Sequence, residues 1–317
     1  MHKIYITYPF PEGWLSSLEG KVEMEVQLKN QFLSSSEMGE RLKNKDGAIV
    51  LLANKIDKEV LDKANNLKVI SNYAVGYDNI DIKEAKKRGI IVTNTPDILT
   101  NATAELTLGL IFTLIRRIIE SGEFLRQGKF TGWEPDLLLG YELKDRLIGI
   151  LGAGRIGSAV AEKLYALGAK IVYCDSSRKE KLEKGTGAKK KDHKWILKNA
   201  DIISIHLPLN EETYHFIGQK ELSMMKNTAF LINTGRGPII DEAALADALR
   251  IGKLGGAALD VFEYEPGVNP HLLRLRNVVV TPHIASATYR ARKGMAKIAC
   301  ENLLAALEGK NPQYRIV

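Results

Sequence analysis

Apolar residues in this chain fall into short runs separated by polar stretches of helical period. In the first hundred residues, Lys3–Thr7, Gly47–Leu51, Lys68–Ser71 and Ile90–Thr93 read as strands. Ser35–Lys43, Asp57–Ala64 and Asp81–Arg88 read as helices, the last ended by Gly89 at a left-handed cap. From Asn101 to Glu120 the polar face nearly disappears, which predicts one long buried helix in a core or at a subunit contact. Residues 128–143 carry Gly132, Pro135 and Gly140 and read as a loop, leaving Trp133 exposed or packed on a neighbouring surface. Strand runs then resume at Leu147–Leu151, Lys170–Cys174, Asp201–His206, Ala229–Asn233, Ala257–Asp260 and Asn277–Thr281. A helix from Ala287 to Glu308, ended by Gly309, closes the pattern. Strands alternating with helices predict an α/β fold with parallel sheets. Six strands in the second half match a doubly wound dinucleotide-binding sheet.

One junction adds chemistry to that pattern. The run Leu147–Leu151 meets Gly152-Ala-Gly-Arg-Ile-Gly157 and passes into a helical stretch ending near Leu167. Strand, glycine turn and helix together suit a pyrophosphate: a tight turn, bare backbone beside the ligand, close helix–strand packing, and free N–H groups at a positive helix end. The next strand run ends in Asp175, eighteen residues beyond Gly157, where a carboxylate can accept from both ribose hydroxyls of an adenosine.

Composition narrows the setting. The 317 residues allow two domains, and 45% hydrophobic with 26% charged residues describes a globular protein. No apolar run is long enough to span a bilayer. The start, Met1-His-Lys-Ile-Tyr-Ile6, has the pattern of a strand and not of a signal peptide. Cys174 and Cys300 are too few for a disulfide framework and read as buried fillers, so a cytoplasmic protein is expected. The net charge of +7 is scattered. Its densest run, Lys189–Lys194, reads as a solvated face, and no aromatic-interleaved basic strand suggests nucleic acid. Positive charge suits an anionic cofactor and an anionic substrate.

Open parallel sheets bind ligands at the carboxyl ends of their strands. Three predicted strands there lead into Thr234-Gly-Arg-Gly237, Val261-Phe-Glu-Tyr-Glu-Pro266 and Pro282-His-Ile-Ala-Ser286. Arg236 can grip a carboxylate through two charge-assisted bonds and polarise an adjacent ketone. The glycines flanking it suggest backbone crowded by a ligand. His283 can give a proton to a forming alkoxide, and Glu265 beside it would favour the imidazolium. Glu263 is expected to face solvent, and His206 to line the cofactor. His2, His193, His215 and His271 show no metal-ligand spacing, so no metal is expected.

Seven ordered blocks make the chain resemble the D-isomer-specific 2-hydroxyacid dehydrogenases over nearly its whole length, with the glyoxylate/hydroxypyruvate reductases the nearest branch. They are Asn72–Asp81, Thr93–Asp97, the glycine turn, His206–Leu209, Asn233–Gly237, Asp260–Pro266 and Thr281–Ser286. The resemblance implies a Rossmann nucleotide domain (100–286) inserted into a smaller flavodoxin-like substrate domain (1–99 with 287–317), the two joined by hinge helices. It implies Arg236, His283 and Glu265 as substrate anchor, proton donor and partner acid. Backbone N–H groups of Ala74, Val75 and Gly76 would meet the substrate carboxylate. Cofactor contacts would come from Thr103, Gly152, Gly154, Arg155, Ile156, Gly157, Asp175, His206, Leu207, Pro208, Thr213, Thr234, Gly235, Arg236, Asp260, His283 and Ala285, with Asp260 on the nicotinamide amide. Asp175 favours NAD, while Arg178 leaves NADP open. A homodimer is implied, with the helix at Asn101–Glu120 in the contact and Trp133 entering a neighbouring active site. Phosphoglycerate and D-lactate dehydrogenases remain alternatives, as does an NAD(H)-sensing binding protein. Formate dehydrogenases differ in having glutamine where Glu265 stands.

Overall fold

The structure, a computed structural model, describes residues 1–28 and 32–317. The chain forms two compact units, Met1–Leu99 with Ala287–Val317, and Thr100–Ser286.

The first unit runs β1 (His2–Ile6), β2 (Val22–Val26), α1 (Ser35–Leu42), β3 (Gly47–Leu51), α2 (Lys58–Lys63), β4 (Val69–Tyr73), α3 (Ile82–Lys87) and β5 (Ile91–Thr93). Its five strands are parallel in the order β2-β1-β3-β4-β5, the flavodoxin-like winding. The helices begin where side chains cap them: Ser34 and Glu37 form a reciprocal capping box, and Asp57 and Asp81 accept from Val60 and Glu84 N–H. The last long helix, Tyr289–Leu307, belongs to this unit. It lies on β4 and β5, where the Ser71 and Tyr73 hydroxyls donate to the Ala299 and Arg292 carbonyls and Asn302 donates to the Asn94 carbonyl. β2 is an addition to the sequence reading.

The second unit opens with α4 (Thr100–Ile115) and α5 (Ile118–Arg126). The single helix expected over 101–120 is therefore two. Arg117 takes φ +52° between them, its guanidinium forked onto Glu120 at 2.8 Å, while Tyr141 N–H satisfies the freed Ile115 carbonyl. Then follow β6 (Leu147–Leu151), α6 (Arg155–Ala166), β7 (Lys170–Cys174), α7 (Glu180–Thr186), β8 (Lys189–Lys190), α8 (His193–Asn199), β9 (Ile202–Ile205), α9 (Gln219–Met224), β10 (Phe230–Asn233), α10 (Glu242–Arg250), β11 (Gly256–Leu259), α11 (Pro270–Leu273) and β12 (Val278–Val280). The sheet has seven parallel strands, one more than the pattern predicts, because the lysine run contributes the edge strand β8. Its order, β12-β11-β10-β9-β6-β7-β8, reverses between β6 and β9. That reversal is the switch point where a doubly wound sheet opens a crevice. Apolar cores cover both faces, one built around Ile203, Leu231 and Leu245, the other around Ile111, Ile150 and Val160.

Candidate active site

The glycine turn leaves β6 at the switch point. Gly152 has φ +91°, and a Cβ there would stand 2.6 Å from the His206 carbonyl oxygen. A Cβ on Gly157 would stand 2.0 Å from the Gly152 carbonyl oxygen, so the helix can lie this close only as glycine. Gly154 is the opposite case: nothing lies within 4 Å of where its Cβ would be. It is also the N-cap of α6 and offers no side chain to the helix's first N–H groups. Two glycines are therefore needed by the chain itself, and the middle one opens bare backbone and a positive helix end to a ligand. That set fits a dinucleotide pyrophosphate.

Asp175 ends β7 beside this turn. One oxygen accepts from Ala153 N–H at 3.0 Å, the other from Ser177 N–H at 3.1 Å with Lys179 Nζ at 3.1 Å. Burial raises its pKa, but these donors outweigh it and hold the carboxyl below its ordinary value. Arg155 and Ile156 open α6. At the end of β9, His206 Nε2 lies 2.8 Å from Ser204 Oγ, and burial pushes the imidazole down to about 4. Thr213 pins the following turn: its hydroxyl donates to the Pro208 carbonyl at 2.6 Å and accepts from Asn210 N–H at 2.8 Å. Thr103 and Thr234 are buried, linked through the hydroxyl of Thr107.

Arg236, Glu265 and His283 follow the neighbouring strands β10, β11 and β12 at their carboxyl ends. His283 Nδ1 and Glu265 Oε2 are 2.8 Å apart, and Glu265 Oε1 accepts from Phe262 N–H at 3.0 Å. Both side chains keep partial contact with solvent. The His283 backbone is left-handed, with φ +53°, a conformation that costs a non-glycine residue free energy unless its surroundings impose it. Asp260 imposes it. This carboxylate is fully buried and accepts from the Thr281 hydroxyl at 2.6 Å and from Ile284 and Ala285 N–H at 2.8 Å each, while its own carbonyl takes His283 N–H at 2.9 Å. Burial raises the Asp260 pKa against those bonds. Its oxygens thus hold the turn that carries His283, where the family resemblance points them at a nicotinamide amide.

Asn233 shapes the Arg236 turn in the same way, its amide donating to the Arg236 carbonyl at 2.9 Å and its oxygen accepting from Gly235 N–H at 3.0 Å. Arg236 itself donates to the Gly235 carbonyl at 2.9 Å. At Gly237 the chain itself crowds the turn: a Cβ there would lie 1.9 Å from the Phe262 carbonyl. Glu263 does not face solvent. Its side chain is only 5% exposed and bonds His215 Nε2 at 2.7 Å, and it exchanges backbone–side-chain bonds with buried Glu242. That pairing crosses 48 residues of sequence and has no local signal.

In the other unit, Ala74, Val75 and Gly76 follow β4. Their carbonyls accept from Thr95 N–H, the Asn94 amide and the Asn72 amide, each at 2.8 Å. Ala74 N–H already donates to the Asn72 carbonyl at 2.8 Å, so it is not the open donor the resemblance implies. Cys300 is buried, which pushes its thiol up to about 11, whereas Cys174 is only half-buried. Trp133 is 83% exposed.

The family model "D-isomer specific 2-hydroxyacid dehydrogenase, NAD binding domain" matches residues 108–285. A glyoxylate reductase of Thermococcus litoralis is 46% identical over 98% of this chain and 95% of its own. A crystal structure of a Thermus thermophilus protein superposes with a TM-score of 0.92 at 41% identity, covering 99% of this chain and all of the other. An NADPH-dependent glyoxylate/hydroxypyruvate reductase from Sinorhizobium meliloti, solved with NADP and malonate, gives a TM-score of 0.89 at 31% identity over 100% and 97% of the two chains.

Proposed function

This chain belongs to the D-isomer-specific 2-hydroxyacid dehydrogenases, NAD(P)-dependent oxidoreductases, and on that premise we propose that it reduces glyoxylate or hydroxypyruvate to the D-2-hydroxy acid. The observation that carries the chemistry is the 2.8 Å His283–Glu265 bond at the carboxyl edge of the sheet that also bears the glycine turn.

The residues that would hold the dinucleotide are the α6 N-terminus from Gly154 to Gly157, Asp175 at the adenosine ribose, and the turn after His206. When bound, the reduced nicotinamide supplies a hydride to the substrate's carbonyl carbon. Arg236 grips the substrate carboxylate with two parallel N–H groups and draws electron density from the ketone oxygen. Glu265 accepts a hydrogen bond from His283 Nδ1–H, which stabilises the imidazolium and leaves Nε2 for the substrate. His283 then releases its Nε2 proton to the forming alkoxide.

We further propose a cytoplasmic homodimer. No helix among the described residues is long and apolar enough to cross a membrane. The segment 118–139 exposes Ile118, Ile119, Leu125, Phe130, Trp133 and Leu139, more apolar surface than one stretch of a lone chain normally leaves uncovered.

A panel of glyoxylate, hydroxypyruvate, pyruvate and phosphohydroxypyruvate, each with NADH and NADPH, tests the reading. Reduction of glyoxylate and hydroxypyruvate ahead of the other two is the expected result. Tight dinucleotide binding with none of the four reduced would instead favour an NAD(H)-sensing protein.

A further inference from the structure

Family membership leaves the choice between the two dinucleotides open. They differ by a 2′-phosphate that brings nearly two negative charges to the adenosine ribose. A site that accepts it needs a free cation there, and an acid at the same place repels it. Asp175 is that acid. Around it lie three cations, Arg178, Lys179 and Lys190, enough by count to reverse its effect.

The structure commits all three, Lys179 to Asp175 itself and the other two to other groups. Lys179 Nζ lies on Asp175 itself at 3.1 Å, and Lys190 Nζ donates to the Ser176 carbonyl at 3.1 Å. Arg178 turns onto α7, where Nε and Nη2 both lie 2.7 Å from Glu183 Oε2. Glu183 is itself anchored: its other oxygen accepts from the Tyr173 hydroxyl at 2.7 Å, and that hydroxyl accepts from Lys179 N–H at 2.8 Å. Tyr173 is a fully buried core residue of β7, the strand that ends at Asp175. The carboxylate that captures Arg178 is thus built on the same strand as the acid that meets the ribose.

We propose that Glu183 is a positioning residue for cofactor choice: by holding Arg178 it withholds the cation a 2′-phosphate requires, and the protein selects NADH over NADPH. This rests on the dehydrogenase reading above. Arg178 is 71% exposed, so solvent weakens the pair. Glu183 therefore modulates a preference whose larger part is Asp175.

The test is fluorescence titration of the full-length protein with NADH and NADPH, which reads binding without turnover. Wild type is expected to bind NADH at least about tenfold tighter. Glu183→Gln keeps an oxygen for Tyr173 but releases Arg178. Its NADPH Kd should fall about three- to fivefold while the NADH Kd moves less than about twofold, a change of ratio that a general loosening of the domain would not produce. Arg178→Ala combined with Glu183→Gln should erase the gain. Equal affinity of wild type for the two dinucleotides would overturn the proposal, as would an unchanged ratio in Glu183→Gln or a gain that survives Arg178→Ala. Failure of wild type to bind either dinucleotide would overturn the dehydrogenase reading itself, and this inference with it.

Discussion

Replacing Glu265 by Gln changes one atom in the acid–base pair and leaves its volume intact. The carbonyl oxygen of the new amide can keep the 3.0 Å bond from Phe262 N–H. Its NH2 group then faces His283 Nδ1 across the 2.8 Å now spanned by the charged pair. An NH2 cannot accept, so the doubly protonated ring loses its charge-assisted bond, while the neutral ring with a bare Nδ1 gains a donor. Hydrogen bonds to charged groups contribute about 1.5–3 kcal/mol. Charged to that scale against the imidazolium, the substitution should lower kcat roughly 10- to 150-fold at neutral pH. The assay is steady-state ketoacid reduction, with NADH binding measured alongside as a control. A kcat within about threefold of wild type at neutral pH would refute the assignment of Glu265 as the hydrogen-bond partner on which His283 depends.

Other expectations follow from the same geometry. His283→Ala removes the proton donor and at most one of many cofactor contacts, so kcat should fall by roughly 10²–10⁴ with a far smaller loss of NADH affinity by titration. Arg236→Lys replaces a two-pronged planar donor by a single ammonium, and kcat/KM for glyoxylate should fall at least tenfold, on the order of one lost charge-assisted bond. Gly157→Ala puts a methyl 2.0 Å from a backbone oxygen, and the forced separation of α6 from the turn should cost about 1–3 kcal/mol of stability in thermal melts and abolish dinucleotide binding. Burial raises the Asp46 pKa, but bonds from Lys68, Lys3 N–H and His2 outweigh it and hold the carboxyl at about 2. Its folded value is below its unfolded one, so its contribution is full above about pH 4 and disappears as pH falls toward 2. Between about pH 4 and 2 the wild-type melting temperature should drop more steeply than that of Asp46→Asn.

Most of the framework could be read from local pattern. Buried parallel strands are continuous apolar runs, and Ile202–Ile205 or Phe230–Asn233 have no other comfortable home. Reading on from each run leads to Arg236, Glu265 and His283, because one edge of such a sheet collects every strand end. What escaped is what pairing decides. Lys189 and Lys190 have no strand propensity; they are strand only because they register on Val172 and Tyr173. Val22–Val26 does alternate, yet it is an edge strand between stretches without clear periodicity. Glu263 was misplaced because its partners, His215 and Glu242, are distant in sequence. The work of Asp260 was equally hidden: a lone acid at a strand end reads as a ligand contact, and only the fold shows the turn wrapped around it.

The contact between Gly237 and the Phe262 carbonyl has a mechanical consequence. With no side chain between them, the anchor's turn and the acid's loop meet backbone to backbone, and any side chain at this position would force them apart. Evolution toward bulkier ketoacids must then leave this junction untouched and work through whatever surrounds the distal end of the substrate.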